Sequence, residues 1–304
     1  MNILGMITDG FKQAIQHKRF AFFFWFLTFF FSYAVYGPYV GVLKDYFAAR
    51  PIADLFYQNI WSMIAGEFDA INPDASGLVY GTFTWLSVLM VLFSMIFSGG
   101  VIHAFLRRQR SVSFAIGSGL KHFKKLFLLG LINLAMILGI GFIAFIIAKI
   151  TGAFVNKDIE PGMVKMFVIP AFFAFVLWLI KDIFYDYLRI VYMNNPNMKL
   201  MDIIPVAFSL ASKYLVKLLV FSVLMHLIVM IVFVAGHLLN EAIGSSVNAG
   251  TAIATLVVGQ MVVWFRALWR YWFFASEINL YETSEYYVFH PDLMVTGAVR
   301  MQNG

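Results

Sequence analysis

Long apolar stretches alternate with short polar segments along this chain. An α-helix rises 1.5 Å per residue, so about 20 apolar residues cross a hydrocarbon core about 30 Å thick. The pattern therefore predicts an all-α membrane bundle of six spans, paired as three hairpins. In chain order, the predicted spans are residues 20–37, 79–104, 126–148, 166–190, 218–240 and 251–276. The first exceeds the apolar core of a signal peptide, which indicates an uncleaved span.

The longest segment between two spans, residues 38–78, has an apolar periodicity of its own. Phe56, Ile60 and Ile64 recur at helical spacing. This spacing predicts short amphipathic helices that lie on the outer membrane surface. They would form either a cap over the bundle or a docking surface for a partner. The last segment, residues 278–304, is predicted to be a cytoplasmic tail.

Three segments that lead into spans look alike: FKQAIQHKRFAFFF, IGSGLKHFKKLFLL and FSLASKYLVKLLVF. In each segment, a small residue lies three positions before His17, His122 or Tyr214. The aligned small residues are Ala14, Gly119 and Ala211. The alignment predicts a threefold repeat in which an interfacial amphipathic helix enters a helical hairpin. The alternative is a pattern that membrane-entry segments share without common origin.

The composition places the chain among integral membrane proteins. Hydrophobic residues make up 62% of the 304 residues and charged residues only 12%, with a mean hydropathy of +0.82. Soluble domains have about 25% charged residues. One membrane domain over the whole chain is the expected organisation. With no cysteine, disulfides and thiolate metal sites are excluded.

The formal charge of +6 indicates lipid headgroups rather than nucleic acid, because the basic residues cluster at the ends of spans. Five lie in the loops after the first, third and fifth spans, against fourteen on the opposite side. The positive-inside rule then puts both termini in the cytoplasm, as expected for a multi-pass protein of the bacterial inner membrane. The predicted cytoplasmic basic collar consists of Lys18, Arg19, Arg107, Arg108, Arg110, Lys121, Lys124, Lys125, Lys213 and Lys217. His17 and His122 are interpreted as collar residues, with proton sensing as the alternative.

Two spans carry charges at matched depths. Asp182 and Asp186 lie four residues apart in the fourth span, as Arg266 and Arg270 do in the sixth, so each pair shares a helix face. An unpaired charge in hydrocarbon costs about 2.5–3.5 kcal/mol on insertion scales, so ion pairing is expected. The fourth and sixth spans are therefore predicted to be neighbours joined by a ladder of ion pairs. The full predicted network is Lys181, Asp182, Asp186, Arg189, Arg266, Arg270 and Glu277.

This network has three possible roles: a structural staple, a site for a substrate or ion, or a proton relay. Asn133, Gln260 and His226 are further polar residues inside spans, and hydrogen bonding within the bundle explains them. His237, also in the fifth span, has the same interpretation. Five glycines in spans are predicted to allow close helix approach. They are Gly99, Gly100, Gly130, Gly139 and Gly141.

An arginine ends the fourth span, a short proline-containing loop follows, and a small-residue amphipathic helix enters the fifth span, in YDYLRIVYMNNPNMKLMDIIPVAFSLASKYLVKLL. RRQRSVSFAIGSGLKHFKKLF has a related order. These features resemble bacterial six-span proteins related to the membrane domain of glycerophosphoryl diester phosphodiesterases. The resemblance covers most of the chain and implies the fold but no catalytic residue. No segment is long and polar enough for the soluble phosphodiesterase barrel that some relatives carry.

The chain has no HExxH, G-x-S-x-G or dinucleotide-binding motif, so the sequence gives no support for catalysis. No cofactor and no metal site are predicted. The expected function is an accessory or scaffold component of a membrane assembly, with a membrane protein partner or a homo-oligomer. A transporter or lipid-handling permease that uses the charges in a cytoplasm-facing cavity is the alternative, and a membrane-embedded lipid enzyme is a third class.

Overall fold

A computed structural model describes residues 2–47, 73–154, 160–244, 249–284 and 287. These residues form nine α-helices and no β-strand. The helices are α1 (Ile3–Gln16), α2 (Lys18–Phe47), α3 (Pro73–Leu106), α4 (Val112–Lys121), α5 (Phe123–Phe154), α6 (Glu160–Asn194), α7 (Leu200–Lys213), α8 (Leu215–Gly244) and α9 (Ala249–Glu282). The all-α prediction is thus confirmed.

Five of these helices are long and apolar enough to cross a membrane. The candidate spans are Tyr80–Leu106, Phe123–Gly152, Phe167–Asn194, Leu215–Ile243 and Ile253–Glu282. They indicate a multi-pass membrane protein, as predicted. The first predicted span, 20–37, lies in α2 and is not in this set, so the sixth span, the hairpin arrangement and the orientation stay predictions.

Two predicted segments fall largely outside the described residues. Helix α2 continues past residue 37 to Phe47, and α3 begins at Pro73, so the surface helices predicted over residues 55–64 lie in the part not described. At the other end, α9 continues to Glu282. Most of the predicted tail lies beyond the described residues.

The chain divides into two compact units, one of residues Phe23–Ser94 and one of Met1–Phe22 with Met95–Gly304. In the smaller unit, the Phe23 and Phe93 rings lie 6.2 Å apart. The larger unit contains every predicted site residue. All the packing described below is within it.

Three short helices, α1, α4 and α7, each end at one non-helical residue before the next long helix begins. These residues are His17 (φ −105°, ψ 21°), His122 (φ −102°, ψ 10°) and Tyr214 (φ −110°, ψ 15°). All three adopt the bridge conformation, which continues the chain in a new direction. They are the three residues that the sequence alignment placed in register, so the local structure repeats as predicted.

The short helices pack through small residues. Each has a buried pair four positions apart, which permits close backbone approach. The pairs are Gly10 with Ala14, Ala115 with Gly119, and Ala207 with Ala211. Helix α1 packs on α9, α7 packs on α6, and α4 meets α3 where a side chain at Gly100 would overlap the Ala115 carbonyl. Each short helix therefore lies on a long helix that precedes it, except α1, which lies on the last described helix.

The long helices pair as α5 with α6 and α8 with α9. Three of the five span glycines allow the predicted close approach: Gly99 to Leu126, Gly100 to Ala115, and Gly130 to Met95. The prediction was wrong for the other two. Gly139 and Gly141 have no neighbouring atom within 4 Å of an added Cβ, so they face open space.

Candidate functional site

The centre of the predicted charge network is Asp186 on α6, whose side chain is completely buried. Its Oδ1 accepts a hydrogen bond from Arg189 on the same helix and another, at 3.2 Å, from Arg270 on α9. Arg189 also donates from Nη1 to Ser98 Oγ of α3 at 2.9 Å. One carboxylate thus joins α6 and α9, and its arginine partner extends the network to α3.

Aromatic rings complete the surroundings of these guanidinium groups. The centre of the Phe274 ring lies 4.9 Å from Arg189 Cζ and 4.5 Å from Arg270 Cζ. Tyr185 covers Arg189 on another side at 4.3 Å. Such cation–π contacts are stronger where water is excluded. The buried Arg189 is therefore enclosed by its pairing with Asp186 and by ring faces.

A second charged cluster lies about one turn away on α6. Lys181 Nζ is 2.5 Å from Asp182 Oδ1 and donates to Asn133 Oδ1 of α5 at 3.1 Å. The same ammonium lies 4.2 Å from the centre of the Trp178 ring. The interhelical hydrogen bond predicted for Asn133 is thus confirmed. This cluster joins α5 to α6 and is separate from the pairs around Asp186.

The structure confirms one rung of the predicted ladder and corrects another. Asp186 pairs with Arg270 across α6 and α9, as predicted. Asp182 pairs with Lys181 instead of Arg266, which is exposed and makes no ion pair within the described residues. The lysine stem is long enough to reach its neighbour's carboxylate, so no cross-helix partner is needed. Arg266 is therefore outside the network.

Glu277 also departs from the prediction. Its side chain is completely buried on α9, and neither carboxylate oxygen has a hydrogen-bond partner among the described residues. The second oxygen of Asp186 and Nε of Arg189 are likewise unpaired. A buried polar group without a partner is destabilising and needs an explanation. Within this network, Glu277 has the most unpaired atoms, because both of its carboxylate oxygens lack a partner among the described residues.

Further polar contacts lie where α3, α4 and α6 meet, and the sequence did not predict them. His103 Nδ1 is 2.6 Å from Ser118 Oγ, and Arg107 Nε donates to His103 Nε2 at 3.3 Å. His122 Nδ1 is 3.0 Å from the Tyr192 hydroxyl. Each residue alone is compatible with a headgroup-facing role, so only the fold shows that they meet.

The collar residues lie close in the chain to the ends of the short helices, and their placement at a cytoplasmic membrane face stays a prediction. Arg107, Arg108 and Arg110 join α3 to α4, and Arg108 adopts a left-handed φ of 52° that ends α3. Lys125 donates to two backbone carbonyls of the α6–α7 turn, Pro196 at 2.8 Å and Met198 at 3.0 Å. Exposed side chains include Lys18, Arg19, Arg108, Arg110, Lys121, Lys124 and Lys213. Lys217 is half-buried.

The remaining polar span residues have mixed outcomes. His226 Nδ1 is 2.7 Å from the Ser222 carbonyl oxygen, in agreement with the predicted hydrogen bonding. Its ring also meets Trp269 edge to face at 5.3 Å. His237 is exposed, so its assignment to the core was wrong. Gln260 is half-buried on α9.

His17 provides a test by pH. It is buried, with Nδ1 bound to the Gln13 carbonyl at 2.8 Å, and burial lowers the pKa of His17 below its ordinary value of 6.5. The unfolded chain therefore binds a proton at higher pH than the folded one, so stability should fall as pH drops below about 6.5. Each unit of pKa difference corresponds to about 1.4 kcal/mol.

The measurement is thermal unfolding in detergent between about pH 7.5 and about pH 5.5. His17→Phe should reduce the loss of melting temperature on acidification. His237→Phe, at an exposed position, should leave that loss unchanged. Equal behaviour of the two variants would contradict the role of His17.

A lateral groove of about 440 Å³ lies between α5, α6 and the junction of α7 with α8. Its lining is apolar except for Lys181 and Ser212. Of the charged residues predicted to line a cavity, only Lys181 lines this groove. Asp186 and Glu277 are not part of it. Within the described ranges, no three His, Cys, Asp or Glu side chains are grouped to hold a metal ion.

No protein-family model matches the chain, and comparisons with curated proteins and with solved structures give no match. The resemblance to the phosphodiesterase membrane domain therefore stays a prediction.

Proposed function

We propose that this chain is a non-enzymatic integral membrane protein that acts as an accessory or scaffold component of a membrane assembly. The observation that carries this proposal is the complete burial of Asp186 between Arg189 and Arg270. A carboxylate used in this way joins helices and is inaccessible to a substrate. Intramembrane charges that pair with one another favour a rigid bundle over a transport path.

Exposed apolar side chains on the short helices support the same proposal. Leu4 on α1 and Met201 on α7 are 71% and 78% exposed. Each helix presents its other face to a long helix through small residues. The outward faces are therefore available for the membrane interface or for another membrane protein.

A permease is the second candidate, and Glu277 is the observation that favours it. A buried carboxylate without a partner is a feature of ion and proton pathways in membrane proteins. Arg270, whose side chain is 34% exposed, extends from the same cluster toward the surface. In a permease, the binding of a proton or ion at Glu277 would change the pairing within this cluster, and that change would open the bundle.

The decisive measurement is native mass spectrometry of protein extracted gently from its own membrane. A scaffold should carry a stoichiometric protein partner, or a second copy, beyond the 34.6 kDa chain. The complex should persist in the variant Arg266→Ala, because Arg266 belongs to neither charged cluster. A single chain under every mild extraction condition would contradict the scaffold proposal and favour the permease.

A further inference from the structure

Glu277 on α9 is an ionisable residue in a place that gives its side chain no partner. The side chain is completely buried, and neither carboxylate oxygen has a hydrogen-bond partner among the described residues. Its backbone lies against α6, where the buried Tyr187 hydroxyl donates to the Glu277 carbonyl oxygen at 3.5 Å. An ionised carboxylate that is buried without a donor is so unfavourable that such a group takes up a proton instead.

Glu277 lies beside the ion pairs of Asp186. It follows Arg270 on α9 by seven residues, which is about two helical turns, so both residues are on one face of the helix. Arg270 pairs with Asp186 of α6, and Tyr187, the next residue of α6, contacts the Glu277 backbone. The Glu277 carboxyl group therefore interacts electrostatically with Asp186, Arg270 and Arg189.

The unpaired atoms of this cluster are unequal in kind. Both Glu277 oxygens and Oδ2 of Asp186 are acceptors, whereas Nε of Arg189 is a donor. A proton on Glu277 would change one acceptor into an O–H donor. The cluster would then have as many unpaired donors as unpaired acceptors, namely the Glu277 hydroxyl and Arg189 Nε against the other Glu277 oxygen and Asp186 Oδ2.

A metal cation would satisfy these oxygens less well than a proton. Ca²⁺ takes about 6–8 oxygen ligands, more than these two carboxyl groups can provide. The nearby Arg189 Nε carries a hydrogen and cannot coordinate a cation. Asp186 Oδ1 already accepts from Arg189 and Arg270, so a metal ion would lie near two positive charges.

The groups that act on the Glu277 carboxyl group come mainly from α6. They include Asp182, Asp186, Tyr187 and Arg189 of α6 and Arg270 of α9 itself. Helices α1 and α8 also pack on α9. From α8, His226 meets α9 at Trp269, about two turns before Glu277. On α1, Asp9 and Lys12 pair with each other and are more than half exposed.

We propose that Glu277 is a proton-binding site and is a neutral carboxylic acid in the folded protein at neutral pH. The proton comes from water, forms an O–H bond with one Glu277 oxygen and returns to water on release, and no other covalent bond changes. Asp186 stays ionised as the counter-charge of Arg189 and Arg270. Release of the proton would add one negative charge to this buried cluster. The proposal goes beyond the scaffold function, because it rests only on the contacts between α6 and α9.

Infrared spectroscopy measures this proton directly in protein reconstituted into vesicles of phosphatidylethanolamine and phosphatidylglycerol. At about pH 7, the spectrum of the wild type minus that of Glu277→Gln should contain the C=O stretch of one protonated carboxylic acid, with a shift in D₂O. Glu241→Gln is the matched control, because it removes the same group from an exposed position on α8. The corresponding difference spectrum of this control should lack the band.

Gln has the shape of a neutral Glu and cannot ionise, so Glu277→Gln should fold and melt at the wild-type temperature or above. If this variant does not fold, ¹³C labelling of the glutamate carboxyl groups in the wild type should shift the band, which assigns it to a glutamate without any substitution. The proposal is overturned if the wild type has no such band, if the band persists in Glu277→Gln, or if it appears only when sodium is removed. A protein partner is detected by mass, so failure of the scaffold proposal is distinguishable from failure of this one.

Discussion

Replacing Asp186 by Asn should lower the free energy of unfolding by about 3–5 kcal/mol, which is enough to abolish folding of a marginally stable bundle. Asn is nearly isosteric with Asp but removes the charge that Arg189 and Arg270 share. Two guanidinium groups would then remain in the bundle without their counter-charge. The measurement is chemical or thermal unfolding of purified protein in detergent, together with the yield of folded protein from membranes.

Asp9→Asn is the matched control for this substitution. Asp9 pairs with Lys12 at 3.8 Å, but both side chains are more than half exposed. Exposed pairs contribute about 0–1 kcal/mol, so this variant should unfold like the wild type.

A triple variant tests whether the Asp186 cluster only stabilises the fold or also serves a function. Asp186→Leu, Arg189→Met and Arg270→Met together remove the charges and fill their space with apolar atoms. Such replacements of buried ion clusters are often neutral or stabilising. Recovered stability in the triple variant, with the membrane assembly intact, is the expected result for a staple. A stable Asp186→Asn protein, or a triple variant as unstable as the single one, would refute that role.

Gly119→Ala should destabilise the protein by about 1–3 kcal/mol, although it adds only one methyl group. A Cβ at Gly119 would overlap the Ile96 carbonyl of α3, and backbone atoms cannot rotate away as a side chain can. Helices α3 and α4 would have to separate. Paired thermal unfolding curves of the variant and the wild type measure this loss.

Gly117→Ala provides the comparison within the same helix. Gly117 has nothing within 4 Å of an added Cβ. Because Ala is a better helix former than Gly by up to about 1 kcal/mol, this variant should be as stable as the wild type or more so. Destabilisation of both variants to the same extent would contradict the role of close packing at Gly119.

Local patterns in the sequence predicted much of this fold. The alignment placed His17, His122 and Tyr214 in register, because the small residues before them and the basic residues after them are near in sequence, and the structure shows a helix break at each. Depth matching identified the Asp186–Arg270 pair for a similar reason. Helical rise is regular, so depth follows from counting residues.

Features that depend on side-chain reach or on helix neighbours could not be predicted in the same way. Depth alone matched Asp182 to Arg266, but Lys181 lies beside Asp182 in the sequence and satisfies it first. Ser98 gives no sequence signal, since a serine in a span usually bonds to its own helix. The groove is also non-local, because it requires α5, α6 and α7 to meet.

The packing of α1 on α9 constrains the order in which the protein is built. Trp272 Nε1 donates to the Ile7 carbonyl at 2.8 Å, across 265 positions of the chain. At roughly 5–20 residues per second, the ribosome adds the later partner tens of seconds after the earlier one. Throughout that interval the Gly10 face of α1 lacks the α9 helix that covers it in the finished protein. Docking of α1 on α9 is therefore a late event of synthesis.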